Sequence, residues 1–109
     1  MTTEMSEEWT VACDFASVSA NDVVRFDTPD ATFAVVKLED GRCSVIDGLC
    51  THGKAHLAEG FVDGKTIECP KHNGRFNVLT GEPVASPVRV ATNVYETRVN
   101  GDKIEFRKR

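Results

Sequence analysis

Two short pairs of metal-binding residues are the part of this sequence that could do chemistry. Cys50-Thr51-His52 has the spacing C-x-H, and Cys69-Pro70-Lys71-His72 has the spacing C-x-x-H. Thiolates and imidazoles bind zinc, and they also bind the iron of iron–sulfur clusters. Two of each complete either a Cys₂His₂ zinc site or a [2Fe–2S] cluster in which two histidines bind one iron.

The order of the ligands favours the cluster over zinc. Zinc fingers usually pair like ligands, as C-x₂₋₄-C and H-x₃₋₅-H, whereas each pair here is mixed. We therefore predict that Cys50, His52, Cys69 and His72 bind one [2Fe–2S] cluster, and a zinc-stabilised binding module is the alternative. No nucleophile–base pair, phosphate loop or dinucleotide fingerprint occurs in the sequence. With a cluster bound at these ligands, the chain would carry single electrons.

Strand signals dominate the rest of the chain. Apolar, β-branched runs occupy residues 9–13, 22–26, 32–38, 42–46, 61–62, 66–67, 94–99 and 103–106. Asp40-Gly41, Asp63-Gly64 and Asn100-Gly101 each stand between two such runs, which is a strong hairpin signal. Short strands with regular turns predict an all-β barrel or sandwich. We expect one helical turn within residues 13–20, capped by Asp14, and a loop at residues 83–87.

Composition limits the classes of protein that this chain can be. Its 109 residues predict one domain, 1–109, with a flexible N-terminus at residues 1–8. The formal net charge of −4 argues against a nucleic-acid partner. No apolar run is long enough for a membrane helix, and MTTEMSEE lacks the features of a signal peptide, so we expect a cytoplasmic protein without a membrane partner. Cys13 and Cys43 fall in or near predicted strands and are expected to be buried, inert thiols.

The motifs resemble those of a known family. C-T-H-G at 50–53, L-A-E-G at 57–60 and C-P-K-H-N-G-R-F at 69–76 look like the cluster loops of Rieske-type ferredoxins from bacterial multicomponent aromatic-ring-hydroxylating dioxygenase systems. The resemblance implies a small Rieske-type β-barrel or sandwich with a two-loop cluster-binding subdomain at 48–81. It implies one [2Fe–2S] cluster, with Cys50 and Cys69 on one iron and His52 and His72 on the other.

The resemblance also implies the partners. Such ferredoxins pass single electrons from an NADH-dependent flavoprotein reductase to the Rieske centre of a terminal oxygenase and transform no substrate themselves, so we expect no catalytic residue and no enzyme activity of the chain's own. We expect a monomer, because that is the default for a small shuttle. The alternative is a small Rieske subunit or regulatory component of a nitrite-reductase-like complex.

Four positions set this chain apart from the Rieske proteins of respiratory complexes. Ala55 and Lys71 stand where those proteins have a cysteine in each loop, so the respiratory disulfide cannot form. Gly74 and Phe76 stand where those proteins have a serine and a tyrosine that donate hydrogen bonds to sulfur. Without these donors we expect a potential near the low end of the Rieske range, roughly −150 mV. Leu57 and Phe76 are expected to pack beneath the cluster and limit water.

Other residues near the motifs receive smaller predictions. Lys54, Lys71 and Arg75 predict a locally basic rim around the loops. His56 is expected to be a surface or loop-packing histidine and not a fifth ligand, since the cluster needs four. Pro87 is expected to shield the cluster from a third loop.

Overall fold

The structure is a computed structural model that describes residues 9–51, 55–71, 74–86 and 90–107. This part of the chain contains ten strands: β1 Thr10–Asp14, β2 Asp22–Asp27, β3 Thr32–Lys37, β4 Cys43–Asp47, β5 Phe61–Asp63, β6 Thr66–Glu68, β7 Arg75–Asn77, β8 Pro83–Ala85, β9 Val94–Asn100 and β10 Lys103–Arg107. Two short 3₁₀ turns, Phe15–Ser17 and Leu57–Glu59, interrupt them. None of the described helical segments has the length and apolarity to cross a membrane.

The strands form two antiparallel sheets. The larger has six strands in the order β1-β10-β9-β4-β3-β2, and the smaller has four in the order β5-β6-β7-β8. The predicted all-β class is therefore confirmed. The smaller sheet lies between the end of β4 and the start of β9 in sequence, so both cysteine–histidine motifs belong to the segment that carries it.

The three predicted hairpins are present. β3 pairs with β4, β5 with β6 and β9 with β10, each in the antiparallel sense. Gly64 and Gly101 have φ angles of 62° and 66° in the second and third of these turns. Residues other than glycine rarely adopt such φ angles, which is why Asp-Gly and Asn-Gly predict these turns so well.

Strand β3 joins two hydrophobic cores because its alternate side chains point to opposite faces of the sheet. Ala34 and Val36 face the inter-sheet core, whose buried members are Val23, Ala34, Val36, Leu38, Ile46, Cys50, Leu57, Ile67, Cys69, Phe76 and Val78. Phe33 and Val35 face the second core, formed by Val18, Phe33, Val35, Val45, Ile104 and Phe106. The inter-sheet core therefore fixes the smaller sheet, and both motif cysteines, against the larger one.

A polar contact also joins the two sheets. The Ser44 hydroxyl on β4 donates a hydrogen bond of 2.6 Å to the Val78 carbonyl, which follows β7. Ser44 is 3% exposed and Val78 is fully buried, so water cannot replace either partner.

Two local predictions are wrong. Residues 83–85 form strand β8 and not a loop. This strand is the edge of the smaller sheet, where Pro83 can pair without a backbone N–H on its open side. Asp14 does precede the first 3₁₀ turn, but its side chain makes no capping hydrogen bond, because its carboxylate pairs with the Lys103 ammonium group.

Candidate metal centre

Cys50 and Cys69 lie together in the inter-sheet core. Cys50 follows β4, and Cys69 follows β6 directly. Their exposed fractions are 5% and 2%, and both pack in the same buried cluster. His52 and His72 lie outside the described residues. The structure therefore brings together the two predicted thiol ligands and does not bear on the two predicted imidazole ligands.

Each motif cysteine closes its own loop by the same backbone hydrogen bond. The Cys50 N–H donates to the Ala55 carbonyl at 2.9 Å, and the Cys69 N–H donates to the Gly74 carbonyl at 2.7 Å. We call residues 50–55 the first ligand loop and residues 69–74 the second. The sequence places one histidine of the predicted set within each closed loop.

The floor of the site is apolar. Leu57 and Phe76 are both fully buried, and both belong to the cluster that holds the cysteines. The prediction that they pack on the inner side of the site is consistent with this placement. Such a floor keeps water away from the thiols and lowers the local dielectric constant.

This arrangement fits a group that takes two thiolates. Two buried cysteines from separate loops belong to one apolar core. Within residues 9–51, 55–71, 74–86 and 90–107, no three His, Cys, Asp or Glu side chains form a complete metal site. A four-ligand centre at Cys50 and Cys69 therefore needs ligands from the remaining loop positions, where His52 and His72 stand.

The other two cysteines have a different environment. Cys13 and Cys43 are half-buried against the second core. Burial raises the pKa of both thiols, and the Asp14 carboxylate raises the pKa of Cys13 further, while Lys37 lowers both. A raised pKa disfavours the reactive thiolate. Their predicted inertness is consistent with the structure, but their predicted burial is wrong, because both side chains stay partly exposed at the margin of the second core.

Exposed apolar side chains flank the first ligand loop. Leu49 precedes Cys50 and is 56% exposed, and Val90 is 63% exposed. The Thr51 hydroxyl donates a hydrogen bond of 2.7 Å to the Val90 carbonyl, so the segment before β9 lies against this loop. We call Leu49, Thr51 and Val90 the loop-end face. Pro87, the predicted shield in this third segment, lies outside the described residues.

The predicted basic rim fails at Arg75. Its guanidinium group lies 2.9 Å from the Glu68 carboxylate and 3.4 Å from the Asp63 carboxylate, and both carboxylates balance its charge. Lys71 is exposed, as a rim residue would be. Lys54 lies outside the described residues.

Of the two placements predicted for His56, surface or loop packing, the structure shows the second, with partners that the sequence did not predict. It is 7% exposed, and both ring nitrogens make hydrogen bonds, one to Ala58 and one to Thr32. The partner Thr32 comes from β3, and no local pattern in the sequence links the two positions.

Comparison with known proteins agrees with this site. The family model of the Rieske [2Fe-2S] domain matches residues 8–96. The ferredoxin component of the naphthalene 1,2-dioxygenase system of Pseudomonas aeruginosa is 34% identical over 100 residues, which cover 92% of this chain and 95% of that protein.

Two solved structures are also similar over nearly the whole chain. One is from a complex of reduced oxygenase and oxidized ferredoxin in carbazole 1,9a-dioxygenase, with 35% identity, a TM-score of 0.85, and coverage of 91% of this chain and 92% of the other. The second is a ferredoxin of Sphingomonas yanoikuyae B1, with 32% identity, a TM-score of 0.87, and coverage of 94% and 100%.

Proposed function

The chain belongs to the Rieske [2Fe–2S] domain family, and from that membership we propose that it is the electron-transfer ferredoxin of an aromatic-ring-hydroxylating dioxygenase system. It carries electrons and transforms no substrate itself. The observation that carries the proposal is the burial of Cys50 and Cys69 in the same core, each at the start of a closed loop. Family membership favours a [2Fe–2S] cluster at this point over the zinc alternative.

We assign Cys50 and Cys69 to one iron and His52 and His72 to the other. The described thiols support the first half of this assignment, and the sequence motifs support the second. When bound, the cluster would supply reversible storage of one electron.

The chain's own residues give the site two unlike sides. Leu57 and Phe76 close the inner side against water, beneath the cysteines. The exposed loop-end face lies beside the first ligand loop on the outer side. Since both cysteines are buried, we propose that electrons pass through His52 and His72.

We propose two partners for this outer side. A terminal Rieske oxygenase receives the electron, and the similar carbazole 1,9a-dioxygenase ferredoxin, which forms a complex with its own oxygenase, supports this partner. An NADH-dependent flavoprotein reductase supplies the electron. The exposed Leu49 and Val90 side chains suit transient docking, because apolar groups at the centre of a small contact provide much of the binding free energy.

The remaining parts of the proposal concern organisation. We propose one domain over residues 1–109, in which residues 48–81 form the cluster-binding subdomain. The inter-sheet core, which draws on both sheets, supports a single unit. We further propose that the protein is a cytoplasmic monomer, as suits a shuttle between two enzymes.

Stepwise reduction of the purified chain tests this function. The chain should take up one electron per molecule from dithionite, and also from NADH when a flavoprotein ferredoxin reductase of a dioxygenase system is present. Addition of that system's oxygenase should reoxidise it. The matched control is Cys69→Ser, which lacks one thiol ligand. If the wild-type chain took up no electron from dithionite, the proposal would be overturned.

A further inference from the structure

His56 stands where the first ligand loop returns to the body of the protein, and both of its ring nitrogens are occupied. The Ala58 N–H donates to Nδ1 at 3.0 Å, which caps the 3₁₀ turn Leu57–Glu59. The Thr32 Oγ1 on β3 lies 2.8 Å from Nε2. The ring is only 7% exposed, so water does not compete strongly for these bonds.

These contacts fix the tautomer of the ring. A backbone N–H can only donate, so Nδ1 must carry a lone pair and the neutral ring carries its hydrogen on Nε2. Nε2–H therefore donates to the Thr32 hydroxyl. That hydroxyl in turn donates to the Asp27 carboxylate on β2, which also accepts from the Arg25 guanidinium group. Every donor in this chain of bonds meets an acceptor, and the chain ends on a charge.

The ring also holds both ends of the loop by contact. A Cβ added to Gly48 would overlap Nε2 and Cε1 of His56, so only glycine admits the ring there. The Gly48 carbonyl accepts the Leu57 N–H at 2.7 Å, and Leu49 forms a β-bridge with His56. The ring thus lies where the chain enters the first ligand loop and where it leaves.

We propose that His56, through Thr32 and Asp27, is the positioning residue of the first ligand loop and holds Cys50 in the place required for cluster binding. The inference rests on the proposed function, because it takes Cys50 as a cluster ligand. His56 itself binds no iron in this account. Its effect passes through the backbone at Gly48 and Ala58.

This role depends on a neutral ring, and the surroundings keep it neutral. Burial lowers the pKa of His56, and Arg25 lowers it further, while Asp27 and Glu59 raise it by less. A proton on Nδ1 would remove the acceptor that caps Ala58. The pKa of His56 in the folded protein lies below its usual value of 6.5, so the unfolded chain binds a proton at a higher pH than the folded chain does. The stabilisation that the neutral ring gives to the loop therefore decreases as the pH falls below 6.5.

The test is the rate at which the oxidised holoprotein loses its cluster to an excess of iron chelator, followed by visible absorbance. His56→Ala and Thr32→Val should each speed this loss about tenfold at pH 8, since each removes buried hydrogen bonds. His56→Asn keeps an acceptor near the position of Nδ1 and should speed it only about threefold.

Thr97→Val is the matched control. The Thr97 hydroxyl likewise makes two hydrogen bonds, but within the larger sheet: it accepts one from the Val45 N–H and donates one to the Tyr95 carbonyl. This variant should lose its cluster within about twofold of the wild-type rate, because the change lies apart from the ligand loops.

The pH profile separates positioning from simple packing. Asparagine does not titrate, so the ratio of the His56→Asn rate to the wild-type rate should be above one at pH 8 and should fall as the pH is lowered towards 5. The inference would be overturned if Thr32→Val and His56→Ala both lost the cluster at the wild-type rate. It would also be overturned if Thr97→Val sped the loss as much as they do, or if the ratio of the His56→Asn rate to the wild-type rate did not change with pH. A wild-type chain that binds no [2Fe–2S] cluster would instead overturn the proposed function.

Discussion

The Cys69 N–H donates a hydrogen bond of 2.7 Å to the Gly74 carbonyl, and this bond closes the second ligand loop at its base. Cys50 and Ala55 are joined in the same way in the first loop. The backbone therefore fixes where both thiols enter the core before any ligand–metal bond is considered. Such preorganisation reduces the entropy that metal binding must overcome.

Loss of either motif cysteine should abolish the cluster. Cys50→Ser and Cys69→Ser each remove one of two thiolates that pack in the inter-sheet core, and we expect less than about a tenth of wild-type iron and sulfide per chain. Cys43→Ser is the matched control, because its thiol lies against the second core. Iron and acid-labile sulfide assays measure the outcome. A coloured Cys69→Ser protein with full iron content would contradict the ligand assignment.

The reduction potential should lie near the low end of the Rieske range. We expect roughly −150 mV, since no hydroxyl stands at Gly74 or Phe76 to donate to sulfur. Phe76→Tyr places a hydroxyl in the core that holds the cysteines and should raise the potential by about 50 mV, the value of one hydrogen bond.

Phe33→Tyr supplies the control for that change. Phe33 is also buried but lies in the second core, away from the cysteines, so its variant should keep the wild-type potential. Protein-film voltammetry measures all three proteins. A wild-type potential well above 0 mV, or equal shifts in both variants, would show that these positions do not set the potential.

The loop-end face should be the docking surface for the redox partners. Leu49→Asp puts a charge on a side chain that is 56% exposed beside the first ligand loop, and we expect the second-order rate constant of electron transfer to fall about tenfold. Val99→Asp is the control, because Val99 is 45% exposed at the opposite end of β9. Stopped-flow reoxidation by the oxygenase measures both. Equal rates for the two variants would place docking elsewhere.

The Ser44–Val78 contact should contribute to global stability. Ser44→Ala leaves the buried Val78 carbonyl without its 2.6 Å donor and should lower the free energy of unfolding by about 1–3 kcal/mol. Ser17→Ala changes an exposed serine in the first 3₁₀ turn and should alter it by less than about 0.5 kcal/mol. Chemical denaturation of the two holoproteins provides the comparison. Equal midpoints would mean that the contact between the sheets adds nothing.

Local signals in the sequence predict the hairpins well. Asp63-Gly64 and Asn100-Gly101 bring the required positive φ angles with them, so the turns can be located without any knowledge of the sheets. Strand β8 could not be found this way. Pro83 reads locally as a loop residue, and only its place at the edge of the smaller sheet makes a strand possible.

The site shows the same division between local and distant information. The spacing of Cys50 and Cys69 with their histidines predicts the thiol ligands from sequence alone, and the structure places both thiols in one core. The positioning role of His56, in contrast, depends on hydrogen bonds through Thr32 and Asp27, which lie on β3 and β2 and are distant in sequence. The sequence predicts Arg75 to be a cation of the basic rim. In the structure its charge is balanced by the carboxylates of Asp63 on β5 and Glu68 on β6, which the smaller sheet brings beside it.

The low-temperature EPR spectrum of the dithionite-reduced protein tests the central claim most directly. Mixed ligation of one [2Fe–2S] cluster by Cys50, Cys69 and two histidines should give a rhombic signal whose average g value differs from that of all-cysteine clusters. His72→Cys should remove that signature while Cys43→Ser keeps it. An EPR-silent, colourless wild-type protein containing zinc would contradict the account.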